Sequence, residues 1–259
     1  MSDNEQLPIG DKTLSVVVPA YNEAERVGSS IERILEFLGR ATTNWEVILV
    51  DDGSTDLTVD VAEAAAAGNT RFKVIKAPQN EGKGSAVCRG VLAATGDYIL
   101  FSDADLSTPI EESHKLVGAL VEGYDVAIGS REHAQSSIDE HQPWYRERMG
   151  KTFNLLVRIL LTNAWRDTQC GFKAFTREAG QALFQMQRVK RFCFDAEILF
   201  IALKHGYRVS ESPIHWLNAE GSRVSLIGDP LNMILDLFRI RLNDMLGRYR
   251  RPSPSGDGT

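Results

Sequence analysis

The chain is short of three things: cysteine, apolar runs of membrane-spanning length, and the glycine pattern of a P-loop. Its three cysteines, Cys88, Cys170 and Cys193, are odd in number and widely spaced. No Cys-x-x-Cys and no Cys/His ligand spacing occurs, which argues against a zinc ribbon or a disulfide scaffold. Such thiols are expected to be buried and reduced, which points to a cytoplasmic location. No run reaches the roughly 18 apolar residues that a transmembrane helix requires. Met1–Lys12 is polar, with no apolar signal segment, so a soluble or peripheral protein is expected. The P-loop fails around Gly82-Lys83-Gly84-Ser85: Ala77 stands where its first glycine belongs, and Gly84 follows the lysine in place of Ser or Thr.

What is present is a regular alternation. Leu14–Val18, Glu46–Val50, Phe72–Lys76, Tyr98–Phe101 and Val126–Gly129 are short and rich in Val, Ile and aromatics, as strands are. Helix-length segments lie between them: Glu23–Leu38, Asp56–Ala67, Lys83–Ala94 and Ile110–Glu122. In the first, Val27, Ile31, Ile34, Leu35 and Leu38 recur at helical spacing. The pattern predicts an α/β fold, a mostly parallel sheet flanked by helices. After Arg131 the texture changes. Glu132–Trp144 is polar and aperiodic and predicts a mobile loop. Phe153–Leu161 is strongly apolar, Asp167–Phe175 is expected at the sheet edge, Ala196–His205 predicts a helix, and Arg208–Trp216 a strand. Pro230–Leu246 predicts an amphipathic helix with arginines towards its end. Its wide apolar face suits either a core helix or one lying on an anionic bilayer. The expected organisation is a flexible stretch at 1–12, one domain at 13–250, and a disordered tail at 251–259. Charge divides the domain: residues 1–130 carry net −11 and residues 131–259 net +5. That polarity suits an acidic, metal-binding half joined to a basic half that meets phosphate or an anionic membrane. Nothing suggests a nucleic-acid partner.

Four polar clusters follow apolar runs: Pro19-Ala20-Tyr21-Asn22-Glu23, Asp51-Asp52-Gly53-Ser54, Asp103-Ala104-Asp105 and Ser130-Arg131. In an open parallel sheet, ligands bind beyond the carboxyl ends of the strands, so four such clusters predict one site. Asp103 and Asp105 are either strand-terminating turn residues or hard oxygen ligands for Mg²⁺ or Mn²⁺ bridging two phosphates. Asp51 and Asp52 exceed what a turn needs, although Ser54 or Asp56 can cap the next helix. Lys83 opens a glycine-rich helix start that can approach a phosphate. Asp195 reads as a helix N-cap or as a catalytic base. Arg146, Arg148, Arg166, Lys173 and Arg223 are candidate phosphate ligands.

Taken together, Val16-Val-Val-Pro-Ala-Tyr-Asn-Glu23, Val50-Asp-Asp-Gly-Ser-Thr-Asp56, Asn80-Glu-Gly-Lys-Gly-Ser85, Asp103-Ala-Asp105 and Gly129-Ser-Arg131 resemble the family 2 glycosyltransferases of the GT-A fold. Arg166-Asp-Thr-Gln-Cys-Gly-Phe-Lys173, Phe194-Asp-Ala-Glu197 and Glu220-Gly-Ser-Arg223 resemble the polyprenyl-phosphate hexosyltransferases. Among these the chain is most similar to the dolichyl-phosphate β-glucosyltransferases, with the mannose synthases as near relatives. The resemblance implies an inverting, metal-dependent transfer of a hexose from a nucleotide sugar to a polyprenyl phosphate. It implies nucleoside contacts at Pro19, Tyr21, Glu23 and Asp52, and metal and sugar-nucleotide contacts at Asp103 and Asp105. It places Arg131 and Arg223 on phosphate, and Arg148 and Thr152 at the lipid phosphate. Asp51, Lys83 and Ala104 join the donor set, and Asp105, Asp195 and Arg131 the catalytic set. Ser107 follows Leu106 where mannose synthases usually carry Gln, which favours UDP-glucose over GDP-mannose. Transfer to a sugar hydroxyl and a non-catalytic donor-binding subunit stay open as alternatives. Membrane contact is expected on the cytoplasmic face, directly or through an anchoring partner or a homo-oligomer.

Overall fold

The computed structural model describes residues 6–138, 144–217 and 228–250. Its first elements are β1 (Leu14–Ala20), α1 (Val27–Ala41), β2 (Trp45–Asp51), α2 (Thr58–Ala65), β3 (Phe72–Lys76) and α3 (Lys83–Ala93). Next come β4 (Tyr98–Ser102), α4 (Ser113–Val121), β5 (Val126–Ser130), β6 (Ser137–Ile138) and α5 (Trp144–Leu160). The rest are β7 (Phe172–Thr176), α6 (Arg177–Met186), α7 (Phe194–Lys204), β8 (Val209–Pro213), β9 (His215–Trp216) and α8 (Gly228–Met245).

β1 and β2 are buried along their whole length, as expected of central parallel strands covered on both faces. The main sheet runs β3-β2-β1-β4-β7-β5-β8. All neighbours are parallel except β7, which runs antiparallel between β4 and β5. Because side chains alternate across a strand, Val16 and Val18 point into one core and Val17 into the other. The first core is closed by α1, α2 and α4, the second by α3, α5, α6, α7 and α8. The carboxyl ends of β1, β2, β4 and β5 share one edge. The reversed β7 begins at that same edge, since Ser102 pairs with Phe172.

Several expectations are corrected. The first helix starts at Val27, because Glu23–Arg26 forms a turn closed by Glu23 taking the Arg26 side chain. Residues 6–12, expected to be flexible, are tied down: Leu7 and Ile9 are buried and the Leu7 amide donates to the Ala41 carbonyl at 2.8 Å. The polar segment 132–144 contains β6 and ends in α5, which begins well before Phe153; residues 139–143 lie outside the described set. The single strand expected over Arg208–Trp216 divides at buried Ile214 into β8 and β9, and β9 pairs with β6 in a separate ribbon. The tail at 251–259 lies outside the described residues.

Candidate active site

The Asp-x-Asp segment turns out of β4 at the centre of the sheet. Leu106 closes the turn, its amide donating to the Asp103 carbonyl at 3.2 Å with φ of +47°. A left-handed leucine is costly, and it marks the sharp turn that carries both aspartates. Asp105 accepts from the Ser107 amide at 2.9 Å. The Asp103 amide donates to the Gly171 carbonyl at 3.1 Å, across from the start of β7. The carboxylate of Asp103 then lies directly over Gly171: a Cβ there would fall 1.9 Å from Oδ2. Only glycine leaves that space. Burial pushes the Asp103 carboxyl above its ordinary value, and Asp105 adds to this while Lys83 opposes it. Among the described residues no cluster of three or more His, Cys, Asp or Glu side chains gathers to hold a metal alone. The two hard carboxylates, with the cradle at Gly171, fit a divalent ion that takes its remaining ligands from a diphosphate.

Lys83, first residue of α3, places its ammonium 2.6 Å from Asp103 Oδ1. Burial opposes that charge, but Asp103 and Asp195 outweigh it and raise the pKa. The flanking glycines are not an open phosphate cradle. A Cβ at Gly84 would meet Phe194 Cβ at 2.7 Å and one at Gly82 the Lys190 carbonyl at 2.7 Å. The segment 187–194 fills that space, with Gln187 donating to the Gly84 carbonyl at 2.9 Å and the Ser85 amide to the Lys190 carbonyl at 2.9 Å.

The ends of β1 and β2 are stitched together. The Asn22 amide donates to Ser54 Oγ at 2.9 Å and the Thr55 amide to Asn22 Oδ1 at 2.8 Å. Asn22 is left-handed here, φ +55°, a conformation asparagine tolerates. Pro19 is buried, Tyr21 is exposed beside it, and Glu23 is buried against Arg26. Asp51 accepts from the Ser54 amide at 3.2 Å. Asp52 accepts from the Glu81 and Gly82 amides at 3.1 and 2.7 Å. Burial lifts the Asp52 pKa against those bonds. Both acids therefore first serve the loops, Asp52 by pinning the segment that carries Lys83. Ala104 is buried between the two aspartates. Asp56, rather than Ser54, bonds the Thr58 amide at the start of α2, at 3.0 Å.

Arg131, at the end of β5, is gripped by Asp167: Nε to Oδ2 at 2.7 Å, Nη2 to Oδ1 at 3.0 Å, and the Arg131 amide to Oδ2 at 3.1 Å. This bidentate fork is the strongest geometry an arginine offers a carboxylate. Burial alone would raise the Asp167 carboxyl, but Arg131 holds it down at about 2. Trp216 lies against the guanidinium, 5.8 Å from ring centroid to carbon. Asp195 is not a helix cap. It is 3% exposed inside α7 and bonds Lys173 Nζ at 2.5 Å. Lys173, 1% exposed, is thereby removed from the phosphate-ligand candidates. Arg148 and Thr152 lie exposed on α5, one helical turn apart, and Arg166 is exposed after it. Arg223 and the side chain of Arg146 lie outside the described residues.

The site thus has carboxylates, a lysine and an arginine at the carboxyl edge of one sheet, and comparison with known proteins says whose it is. Residues 15–184 match Glycosyl transferase family 2. The chain belongs to that family. It is 37% identical over 250 residues to a dolichyl-phosphate β-glucosyltransferase of Drosophila melanogaster, covering 92% of this chain and 77% of the fly protein. The Homo sapiens protein of the same name is 36% identical over 252 residues, covering 92% and 78%. Solved structures share the fold. Mannosyl-3-phosphoglycerate synthase of Rubrobacter xylanophilus gives a TM-score of 0.67 at 19% identity, over 95% of this chain and 79% of that one. Glucosyl-3-phosphoglycerate synthase of Mycobacterium tuberculosis, solved with Mn²⁺, UDP-glucose and phosphoglyceric acid, gives 0.65 at 23%, over 96% and 83%. In this glycosyltransferase the motifs legible in sequence converge, with partners that sequence did not assign. Asp167 sat within a recognised motif, but nothing in its spacing tied it to Arg131. Gly171 sat in the same motif, but nothing in sequence tied it to Asp103.

Proposed function

We propose that this family 2 glycosyltransferase moves glucose from UDP-glucose to the phosphate of a polyprenyl lipid of the dolichyl type, inverting the anomeric carbon. The observation that carries this is the similarity to proteins named dolichyl-phosphate β-glucosyltransferase across at least 92% of the chain. An acceptor phosphate oxygen forms the new bond to C1 while the bond from C1 to the UDP oxygen breaks. A Mg²⁺ or Mn²⁺ ion held by Asp103 and Asp105 would neutralise charge on the departing diphosphate. Lys83, already against Asp103, is placed to meet the same phosphates. Pro19, Tyr21, Glu23, Asp51 and Asp52 shape the nucleoside end, and Arg131, fixed by Asp167, offers a rigid cation at the sheet edge. Arg148, Thr152 and Arg223 are the acceptor-phosphate residues.

The acceptor needs little activation. A phosphate monoester has its second pKa near about 6 and is mostly ionised at neutrality, so a strong general base is dispensable. This suits the buried Asp195, which is engaged with Lys173. Among the described residues no helix is long and apolar enough to cross a membrane. The acceptor would be met at the cytoplasmic membrane face by peripheral contact, through an anchoring partner, or as a homo-oligomer.

A donor screen tests the reading. Purified protein is mixed with Mg²⁺ or Mn²⁺, a short polyprenyl phosphate and each of UDP-glucose, GDP-mannose and UDP-GlcNAc, and nucleoside diphosphate release is followed. Lipid-dependent release from UDP-glucose, abolished in Asp105→Ala, is expected. Release from another donor corrects the sugar; binding without lipid-dependent release moves the acceptor to a hydroxyl.

A further inference from the structure

The smallest strand pair among the described residues is held more firmly than its size requires. β6 and β9 have two residues each and pair with one another. So short a ribbon is marginal by itself, yet each residue from 213 to 217 is tied down. The Pro213 carbonyl accepts from Lys115 Nζ at 3.1 Å and the Ile214 carbonyl from the Ser137 amide at 3.3 Å. The His215 amide donates to Glu112, just before α4, at 3.2 Å, and Trp216 pairs with Ile138. The Leu217 amide donates to the Ser107 carbonyl at 2.7 Å, and the Ser107 amide bonds Asp105 in turn. Ahead of β6, Ser136 Oγ donates to the Ser130 carbonyl at 2.6 Å, beside Arg131.

The group fixed by this anchoring is the Trp216 ring. It is half-buried and packs against the core closed by α1, α2 and α4. The Arg131 guanidinium lies over that ring, at the 5.8 Å already noted. Arginine stacks on aromatic faces through its flat, delocalised cation. Arg131 is therefore held twice. Asp167 takes the edge formed by Nε and Nη2, and Trp216 backs the plane. Nη1 lies outside the fork, and the side chain keeps 31% exposure. A cation clamped in this way presents its remaining edge in one orientation, as a positioned phosphate ligand requires.

Topology says which phosphate it meets. Asp103 and Asp105 follow β4, and Lys83 opens α3, which packs on β1 and β2. Arg131 follows β5, two strands from β4 on the side away from β1. The donor diphosphate has its own cations on the β1 side, so the clamped arginine is left for the acceptor. We propose that Trp216 is a positioning residue that holds the Arg131 guanidinium towards the acceptor phosphate. The Leu217–Ser107 bond sets the ring in register with the Asp-x-Asp turn. This rests on the lipid-phosphate acceptor proposed above, to which it adds the residue that orients its cation.

Two variants of the full chain test it. Trp216→Leu keeps apolar bulk without a ring face, and Trp216→Phe keeps a ring. With UDP-glucose, Mn²⁺ and a short polyprenyl phosphate, Trp216→Leu is expected to raise the KM for the lipid phosphate about tenfold. Its kcat, UDP-glucose affinity and thermal melting should match the wild type, and Trp216→Phe should recover most of the loss. Wild-type KM in Trp216→Leu, or an equal loss towards donor and lipid, overturns the proposal. A second readout does not depend on turnover. In protein labelled with ¹⁵N-arginine, the Arg131 Nε–H signal is identified by its disappearance in Arg131→Lys. Ring current should shift it upfield in the wild type and release it in Trp216→Leu. A wild-type signal at the ordinary arginine position overturns the clamp. A shifted signal in a wild type that transfers to no lipid phosphate supports the clamp and counts against the transferase reading alone.

Discussion

At the scale of single residues, the site depends on contacts that leave no tolerance. Gly171→Ala would set a methyl group where the Asp103 carboxylate lies. A displacement of about 1 Å in such a group costs on the order of a hundredfold. Mn²⁺ binding, followed by electron paramagnetic resonance, and turnover are both expected to fall by about that factor, with the fold retained. Gly118→Ala, which meets nothing within 4 Å, serves as the control. Asp195→Asn is expected to act through stability, because it leaves Lys173 as a buried cation without its counter-charge. Losing one partner of such a pair costs about 3–5 kcal/mol. Chemical denaturation would show it, and full stability with lost turnover would restore Asp195 as a reacting group. The Asp-x-Asp and the acidic end of β2 were legible in sequence because their chemistry is local. The roles of Asp167 and Lys173 were not, because a buried ion pair is defined by what packs against it, and their partners, Arg131 after β5 and Asp195 on α7, are distant in sequence.

At the scale of elements, a buried carboxylate ties three strands together. Glu46 of β2 accepts from Ser15 of β1 at 2.7 Å, from Lys73 of β3 at 2.8 Å and from the Thr95 amide before β4 at 2.7 Å. Burial would raise its pKa, but these bonds together hold it at about 2. A depressed carboxyl stabilises the fold above its unfolded pKa, and that stability is lost as pH falls through the folded value. Wild-type stability should therefore decline between about pH 4 and pH 2. Glu46→Gln should lose about 2 kcal/mol at neutrality and show a shallower acid decline, measured by urea unfolding across pH. At the other end of the chain, Tyr249 is fully buried and donates to Glu197 at 2.5 Å. Glu197 also accepts the Arg188 and Val189 amides at 3.0 and 2.8 Å. Tyr249→Phe strands one oxygen of a buried acid, and a loss of about 1–3 kcal/mol in thermal or chemical unfolding is expected. Most strand and helix positions were readable from periodicity, but α6 and the first half of α5 were not. The division of Arg208–Trp216 between two sheets was not, since one alternating pattern serves either.

At the scale of the whole molecule, the acidic and basic halves seen in sequence do not become separate bodies. β7, from the basic half, sits between β4 and β5 of the acidic half, and Leu100 pairs with Ala174. Sequence alone gave no sign of this reversal, because an antiparallel insertion and a further parallel strand have the same composition. It has a consequence for synthesis. Chains emerge from the ribosome amino end first and fold by parts, yet here the sheet's middle can be completed only when residues 172–176 are out. Until then β1 to β4 present an unpaired edge with Asp103 and Asp105 at its rim, and β5 has no neighbour from its own half. An arrested chain ending near residue 150 should therefore be protease-sensitive at β5, whereas one from which β7 and α6 have fully emerged should resist. The reversed strand would act as a latch, so that catalytic competence and the closing of the fold arrive in the same step.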